Sequence, residues 1–170
     1  MNSYNSKKSN LWGTPVDLYE SRDKEFKFDY DPCPFPKPES FDGLLTDWGK
    51  CDFVNPPYSD VGRFARQCRE EQKKGNVSVL LIPARTSSGY FHDWILPFSE
   101  IRFIRGRLKF VGLSEENRDV KNPAGFASLV LCTGKKCNTT FGLFVQVTKC
   151  PRFPCPDFQK NRATEIVFRK

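Results

Sequence analysis

Residues 51–82 read CDFVNPPYSDVGRFARQCREEQKKGNVSVLLI, and the fold class follows from this stretch. Cys51 to Val54 reads as a short strand, ended by the proline pair that follows Asn55. Ser59 is placed to cap a helix, and Val61, Phe64, Ala65 and Cys68 then share one helical face. Gly75 ends that helix. Val77 to Ile82 is a continuous run rich in valine and leucine, the mark of a strand covered on both faces. Strand, helix and strand in this order predict a parallel crossover, hence an α/β domain.

Toward the amino terminus, Trp12-Gly13-Thr14-Pro15 suggests a short helix with Thr14 as N-cap and Pro15 at its first position. Val16 and Tyr19 would then pack inward. Residues 26–31 alternate Phe26, Phe28 and Tyr30 with polar residues, a strand pattern that ends at Asp31-Pro32-Cys33-Pro34. A loop follows through Pro36, Pro38 and Gly43 to Trp48. Toward the carboxyl terminus, a short helix is expected from Ser87 or Ser88 to Trp94. Strands are expected over residues 101–104 and 107–111, with Arg105-Gly106 as the turn between them. Residues 112–124 read as a polar loop. Strands over residues 127–132 and 139–147, joined by a turn at Gly134, and a further one over residues 165–168 give the last third an antiparallel character.

A chain of 170 residues can bury a core in one domain without disulfides or metals. We expect a flexible polar segment over residues 1–10 and one domain over residues 11–170. No apolar run approaches the roughly 20 residues of a membrane span and no secretory signal is read, so a soluble, cytoplasmic protein is expected, in the host cytoplasm if viral. Lysine and arginine number 27 against 20 acidic residues, a net charge of +7, which suits an anionic partner and nucleic acid first. Seven cysteines are an odd number, and in a reducing compartment no disulfide framework is expected. Cys132, Cys137, Cys150 and Cys155 have the loose spacing of zinc pairs. A straight strand would nevertheless hold Cys137 and Cys150 roughly 30 Å apart at about 3.3 Å per residue. They are therefore read as ordinary thiols, and no metal is expected.

Asn55-Pro56-Pro57-Tyr58 follows one predicted strand and precedes a helix, which in an open α/β sheet is the carboxyl edge where ligands bind. The residue types suit a particular chemistry. An aromatic exocyclic amine is a poor nucleophile because its lone pair is delocalised into the ring. An acceptor on each N–H draws the nitrogen toward a tetrahedral shape and returns density to it. Asn55 offers a side-chain oxygen for one N–H, and the Pro56 carbonyl serves the other. The prolines remove competing donors and push Asn55 into an extended conformation, so both acceptors are set in advance. Tyr58 offers a ring face on which a planar base can stack. A base inside a duplex cannot reach such a pocket, so a double-stranded substrate implies base flipping, with basic residues on the phosphates. Arg63, Arg66, Arg85, Thr86, Arg105, Arg107 and Lys109 are the candidates for those contacts.

Several further segments occur in order with this motif: Trp12-Gly13-Thr14-Pro15, Asp31-Pro32-Cys33, Asp42-Gly43-Leu44 with Trp48, Leu81-Ile82-Pro83-Ala84-Arg85-Thr86, Phe91-His92, and Ile104-Arg105-Gly106-Arg107-Leu108-Lys109-Phe110. With them the chain resembles the phage DNA N6-adenine methyltransferase family (Dam-type) over about residues 12–131. The resemblance implies a Rossmann-like fold dependent on S-adenosylmethionine, with Asn55, Pro56, Pro57 and Tyr58 as the catalytic segment. It also implies that Trp12, Thr14, Pro15, Asp31, Pro32 and Cys33 border the cofactor, and that methyl transfer is to adenine N6 in DNA at specific sites, as in restriction-modification. The glycine-rich loop of the wider methyltransferase pattern is absent after the first strand. Asp31 is suited either to the ribose hydroxyls or to the methionine amino group, or else it caps a turn. His92, the single histidine, is read as packing on a helix face.

Two other functions fit parts of the same pattern. A similar Asn-Pro-Pro-Tyr segment serves methyltransferases acting on RNA bases or on protein glutamine amides, which pose the same electronic problem. A nonenzymatic nucleic-acid-binding module that has lost its cofactor would account for the missing glycines.

Overall fold

A computed structural model describes residues 12–112, 123–134 and 145–148. Its centre is a mixed five-stranded sheet made of β1 (Cys51–Val54), β2 (Val77–Pro83), β3 (Ser99–Ile104), β4 (Ser128–Thr133) and β5 (Val145–Thr148), in the order β1-β2-β4-β3-β5. β1 and β2 are parallel, with Val54 beside Leu80. Between them runs helix α2 (Val61–Lys73), which buries Val61, Phe64, Ala65 and Cys68 as their spacing predicts. Gly75, at φ 90°, lets the chain turn out of that helix into a conformation that residues with a Cβ rarely adopt. Every residue of β2 is buried, as expected of a strand covered on both faces.

The two faces of the sheet carry two apolar layers. Val77, Val79 and Leu81 point with Phe53, Val130 and Ile104 toward helix α1 (Val16–Phe26), which contributes Leu18 and Phe26. Leu80, Ile82, Leu129 and Leu131 point the other way, toward Phe64 and Cys68 of α2 and toward Phe91 and Ile95 of a π-helical turn (Phe91–Ile95). The period of two within each strand thus serves both layers. Among the described residues no helix is long and apolar enough to cross a membrane.

Polar side chains also tie the layers together. Arg102 on β3 is buried, its Nε donating to Glu100 at 2.6 Å and its two terminal nitrogens to Glu25 of α1 at 2.7 Å each. Such a fork anchors the end of α1 to the sheet with fixed geometry. Glu71 of α2, equally buried, accepts from Gln67, Lys74 and Asn76 at 2.8 to 3.0 Å, leaving no unpaired charge at the helix end.

Several expectations are corrected. Pro15, not Thr14, occupies the N-cap of α1, with no side-chain cap, because the Thr14 hydroxyl bonds elsewhere. Val16 is 65 % exposed, while Leu18 and Phe26 face the core. The predicted strand over residues 26–31 is mostly not one, since α1 runs on to Phe26 and closes at Lys27 with φ 60°. Asp23 supplies the closure, accepting the Phe28 N–H at 2.9 Å. Only Tyr30 bridges β1, in parallel with Asp52. Asp60 rather than Ser59 stands at the N-cap of α2. Residues 107–110 form no ladder, and Val111 alone bridges back to Gly13, although Leu108 and Phe110 are buried.

The largest correction concerns the last third. β4 does not form a hairpin with β5. It lies between β2 and β3, antiparallel to both, and β5 pairs in parallel with β3 at the sheet edge. All six residues of β4 are buried, and a run that apolar needs partners on both sides as well as on both faces. Cys132 within it is disulfide-bonded rather than a thiol, whereas Cys33, Cys51 and Cys68 are not in disulfides. The remaining cysteines, the strand expected over residues 165–168 and most of the polar loop lie outside the described residues.

Candidate active site

The sheet directions bring the candidate segments to one edge. Since β4 runs against both β2 and β3, β3 runs with β1 and β2. The chain leaves the carboxyl ends of these three strands at residues 55–58, 84–86 and 105–109, and it enters β4 at the same edge through residues 124–127. This is the position where an open sheet presents ligand-binding loops.

Asn55 is half-buried directly beyond β1. Its amide nitrogen donates to the Trp12 carbonyl at 3.0 Å and contacts the Thr14 hydroxyl at 3.1 Å. A carbonyl only accepts, so the nitrogen must face Trp12 and the side-chain oxygen must face away. Among the described residues that oxygen has no donor, and it is not one of the buried unpaired atoms, so it is open to solvent. The neighbouring Pro57 carbonyl accepts the Asp60 N–H at 2.8 Å, whereas that of Pro56 takes no hydrogen bond among the described residues. The Asn55 oxygen is thus open, and the Pro56 carbonyl, on a residue that is itself buried, is unpaired among the described residues on a backbone stiffened by prolines.

Tyr58 touches both apolar layers. Its ring meets Phe126 and Phe110 edge-on, at centroid distances of 5.3 and 5.9 Å. The hydroxyl is buried with no hydrogen-bond partner in the structure, and burial pushes its phenol up. Phe110 and Phe126 were not among the expected site residues. Phe110 entered only as the last residue of the 104–110 segment quoted for the resemblance, and nothing along the chain relates Phe126 to a tyrosine 68 positions earlier.

Two amino-terminal segments lie at this edge, one of them bonded to Asn55. The segment holding Trp12 and Thr14 is pinned by paired backbone bonds between Gly13 and Val111, at 2.8 and 2.9 Å. Over it lies Phe35, three of whose ring atoms would stand within 3.0 Å of a Cβ at Gly13. Phe35 belongs to the loop that begins at Asp31, and the Tyr30 bridge to β1 sends that loop toward the same edge. Asp31 accepts the Cys33 N–H at 2.7 Å, forming the turn. Burial pushes its carboxyl up to about 6, partly offset by that bond. Its other oxygen has no donor among the described residues. Gly43 seats the far side of the loop directly on the Pro32 backbone, and the Gly43 carbonyl accepts from the Trp48 indole at 2.7 Å.

A family model described as DNA N-6-adenine-methyltransferase (Dam) matches residues 2–149. The chain belongs to the Dam family. It is accordingly a member of a family of enzymes that methylate adenine in DNA, and the match extends beyond residues 12–131 on which the resemblance was drawn. No curated protein and no solved structure matches the chain.

In this Dam-family chain the basic candidates differ in their surroundings. Arg85, Thr86, Arg105, Arg107 and Lys109 are exposed on the segments that leave β2 and β3. Arg63 is exposed too but bonds Asp60 at 3.0 Å, a pairing weak enough at a surface to exchange for a phosphate. Arg66 sits over the Trp94 ring at 5.7 Å. His92 is exposed, with an edge contact to Phe91, and does not pack on the helix face as expected. Among the described residues no cluster of metal-ligating side chains exists.

Proposed function

We propose that this chain is a site-specific, S-adenosylmethionine-dependent methyltransferase that modifies N6 of adenine in DNA, through one Rossmann-like domain spanning residues 11–170. The observation that carries the reading is the Asn55 side-chain oxygen, which is turned away from Trp12 and has no donor among the described residues, next in the chain to a Pro56 carbonyl that takes no hydrogen bond among them either. S-adenosylmethionine supplies an electrophilic methyl group on a sulfonium. The protein's part is to hold the amine. Each N–H of the adenine amino group donates to one acceptor, the nitrogen takes tetrahedral character, and its lone pair turns toward the methyl donor. Asn55 is neutral, so the surplus proton leaves for solvent after transfer. Tyr58, with Phe110 and Phe126 behind it, supplies the aromatic wall for the base.

For a duplex substrate the base must leave the stack. Arg85, Thr86, Arg105, Arg107 and Lys109, with Arg63 after release from Asp60, hold the flanking phosphates on the same edge and offset part of that cost. The residues that would hold the cofactor are those of the segment through Trp12 and Pro15 and of the turn through Asp31, Pro32 and Cys33. The fit rests on the Asp31 oxygen that has no donor among the described residues: a largely buried carboxylate would accept from ribose hydroxyls or from the methionine ammonium, both of which favour its ionised form.

The direct test is mass spectrometry of nucleosides from DNA treated with the purified protein and isotopically labelled S-adenosylmethionine. Label is expected in N6-methyladenine. Label only in methylcytosine would overturn the choice of base, and label in neither would turn the search to RNA and protein amides.

A second expectation follows from Asp31. Its carboxyl is pushed up to about 6, so it is protonated below that pH and ionised above. Affinity for S-adenosylhomocysteine should therefore fall as pH drops from about 7 to about 5. Asp31→Asn should bind roughly tenfold more weakly at pH 7, the worth of one charge-assisted hydrogen bond, and should lose the pH dependence. Calorimetric titration at both pH values measures this, and unchanged affinity in the variant would reduce Asp31 to a turn residue.

A further inference from the structure

We infer that the Thr14 hydroxyl and the Trp12 carbonyl form an orienting clamp for the catalytic amide, so that Thr14 is a positioning residue rather than a cofactor ligand. This rests on the role given to Asn55 above. An asparagine amide has two faces of similar shape, one accepting and one donating, and rotation by half a turn about χ2 exchanges them. Only one orientation presents oxygen to an amine. In the other, the NH2 group would point at the amino group of the base, donor against donor, and the site would be dead.

Nothing within residues 55–58 decides between the two. Pro56 and Pro57 set the backbone but do not touch the side-chain torsion. The choice is made 41 to 43 positions away, where both acceptors of the Asn55 amide stand at 3.0 and 3.1 Å. Their segment is itself held by the Gly13 to Val111 bonds and overlaid by Phe35, so the clamp has a fixed support. The Trp12 carbonyl can only accept, and the Thr14 hydroxyl accepts here as well.

The clamp also gives a reason for asparagine over aspartate in this chain. A carboxylate at position 55 would supply acceptors in either orientation and would need no orienting. Here, however, one of its oxygens would face the Trp12 carbonyl at the 3.0 Å now occupied by a hydrogen bond, acceptor against acceptor. The Thr14 hydroxyl can rotate and donate; the carbonyl cannot. Asn55→Asp is therefore expected to be impaired in spite of keeping an acceptor for the base.

The test has a spectroscopic and a kinetic arm. In 15N-labelled protein the Asn55 side-chain NH2 signal, identified by its absence in Asn55→Ala, is expected to show both protons in hydrogen-bonded positions. Thr14→Val, which keeps the shape and loses the hydroxyl, should move one of them upfield, and Thr14→Ser should return it. In methylation assays Thr14→Val is expected to lower kcat about tenfold, the worth of one hydrogen bond, with affinity for S-adenosylhomocysteine unchanged and kcat restored in Thr14→Ser. Asn55→Asp should lose at least as much. An NH2 signal unaffected by Thr14→Val would overturn the clamp, as would weakened cofactor affinity with kcat intact. Should the signal respond as expected in a protein that methylates no DNA adenine, the clamp stands and the proposed reaction falls.

Discussion

Asn55→Ala is expected to lower the methylation rate constant by about a hundred- to a thousand-fold, the usual consequence of removing one preorganised polar group that acts on the reacting atoms. Affinity for S-adenosylhomocysteine should stay within about twofold, because the free oxygen of the amide is proposed to act on the base and not on the cofactor, while its nitrogen faces the Trp12 carbonyl and the Thr14 hydroxyl. The two measurements separate a catalytic loss from a collapsed site. Single-turnover methylation of DNA gives the first and calorimetric titration the second. A parallel loss of cofactor affinity would show that Asn55 supports the cofactor pocket instead. Pro56 and Pro57 stay in place in this variant, so the second acceptor remains and some residual activity is expected.

Gly43→Ala should be the most damaging small substitution in the structure. A Cβ there falls inside the Pro32 carbonyl group, 2.7 Å from its carbon and closer still to its oxygen. Backbone cannot rotate aside as a flexible side chain would, so the two loop segments must separate. We expect a loss of about 3 kcal/mol, the upper part of the range for overpacking, and a melting midpoint lower by roughly 10 °C. The same displacement moves the turn in which Asp31 accepts the Cys33 N–H, so cofactor affinity should fall with stability. Gly89→Ala is the matched control: its Cβ meets nothing closer than 3.9 Å, and the change should leave the midpoint unchanged or slightly raised. Thermal unfolding with and without S-adenosylhomocysteine measures both effects. A Gly43→Ala protein as stable as the parent would mean that the loop is not seated on Pro32.

The two variants probe different levels of the architecture. Asn55 is a half-buried side chain just beyond a strand end, where changing chemistry need not change the fold. Gly43 is a contact between loops, where adding one carbon changes the fold and the chemistry follows. Arg102 with Glu25 and Glu100 belongs with the second kind, tying β3 to α1 through bonds of 2.6 to 2.7 Å on the side of the sheet where α1 follows the segment holding Thr14.

Local periodicity by itself determined the parallel unit at the heart of this protein. Residues 77–82 are apolar without interruption, residues 61, 64, 65 and 68 fall on one helical face, and a proline pair separates strand from helix. Those patterns have single solutions, since the strand must be covered on both faces and the helix must bury one. The proposed acceptor role of Asn55 and Pro56 likewise rests on four consecutive residues. Where neighbouring patterns competed, the reading failed. Phe26, Phe28 and Tyr30 alternate as a strand would, but Leu18, Arg22 and Phe26 also repeat at helical spacing, and burial of Leu18 and Phe26 against the sheet prolonged the helix. Only the tertiary structure decided that β4 enters between β2 and β3, because strand order depends on which apolar edges need partners and not on which strands are consecutive. It alone also decided which way the Asn55 amide faces. That choice is made by hydrogen bonds to residues 41 and 43 positions away, a distance along the chain over which no local pattern carries information.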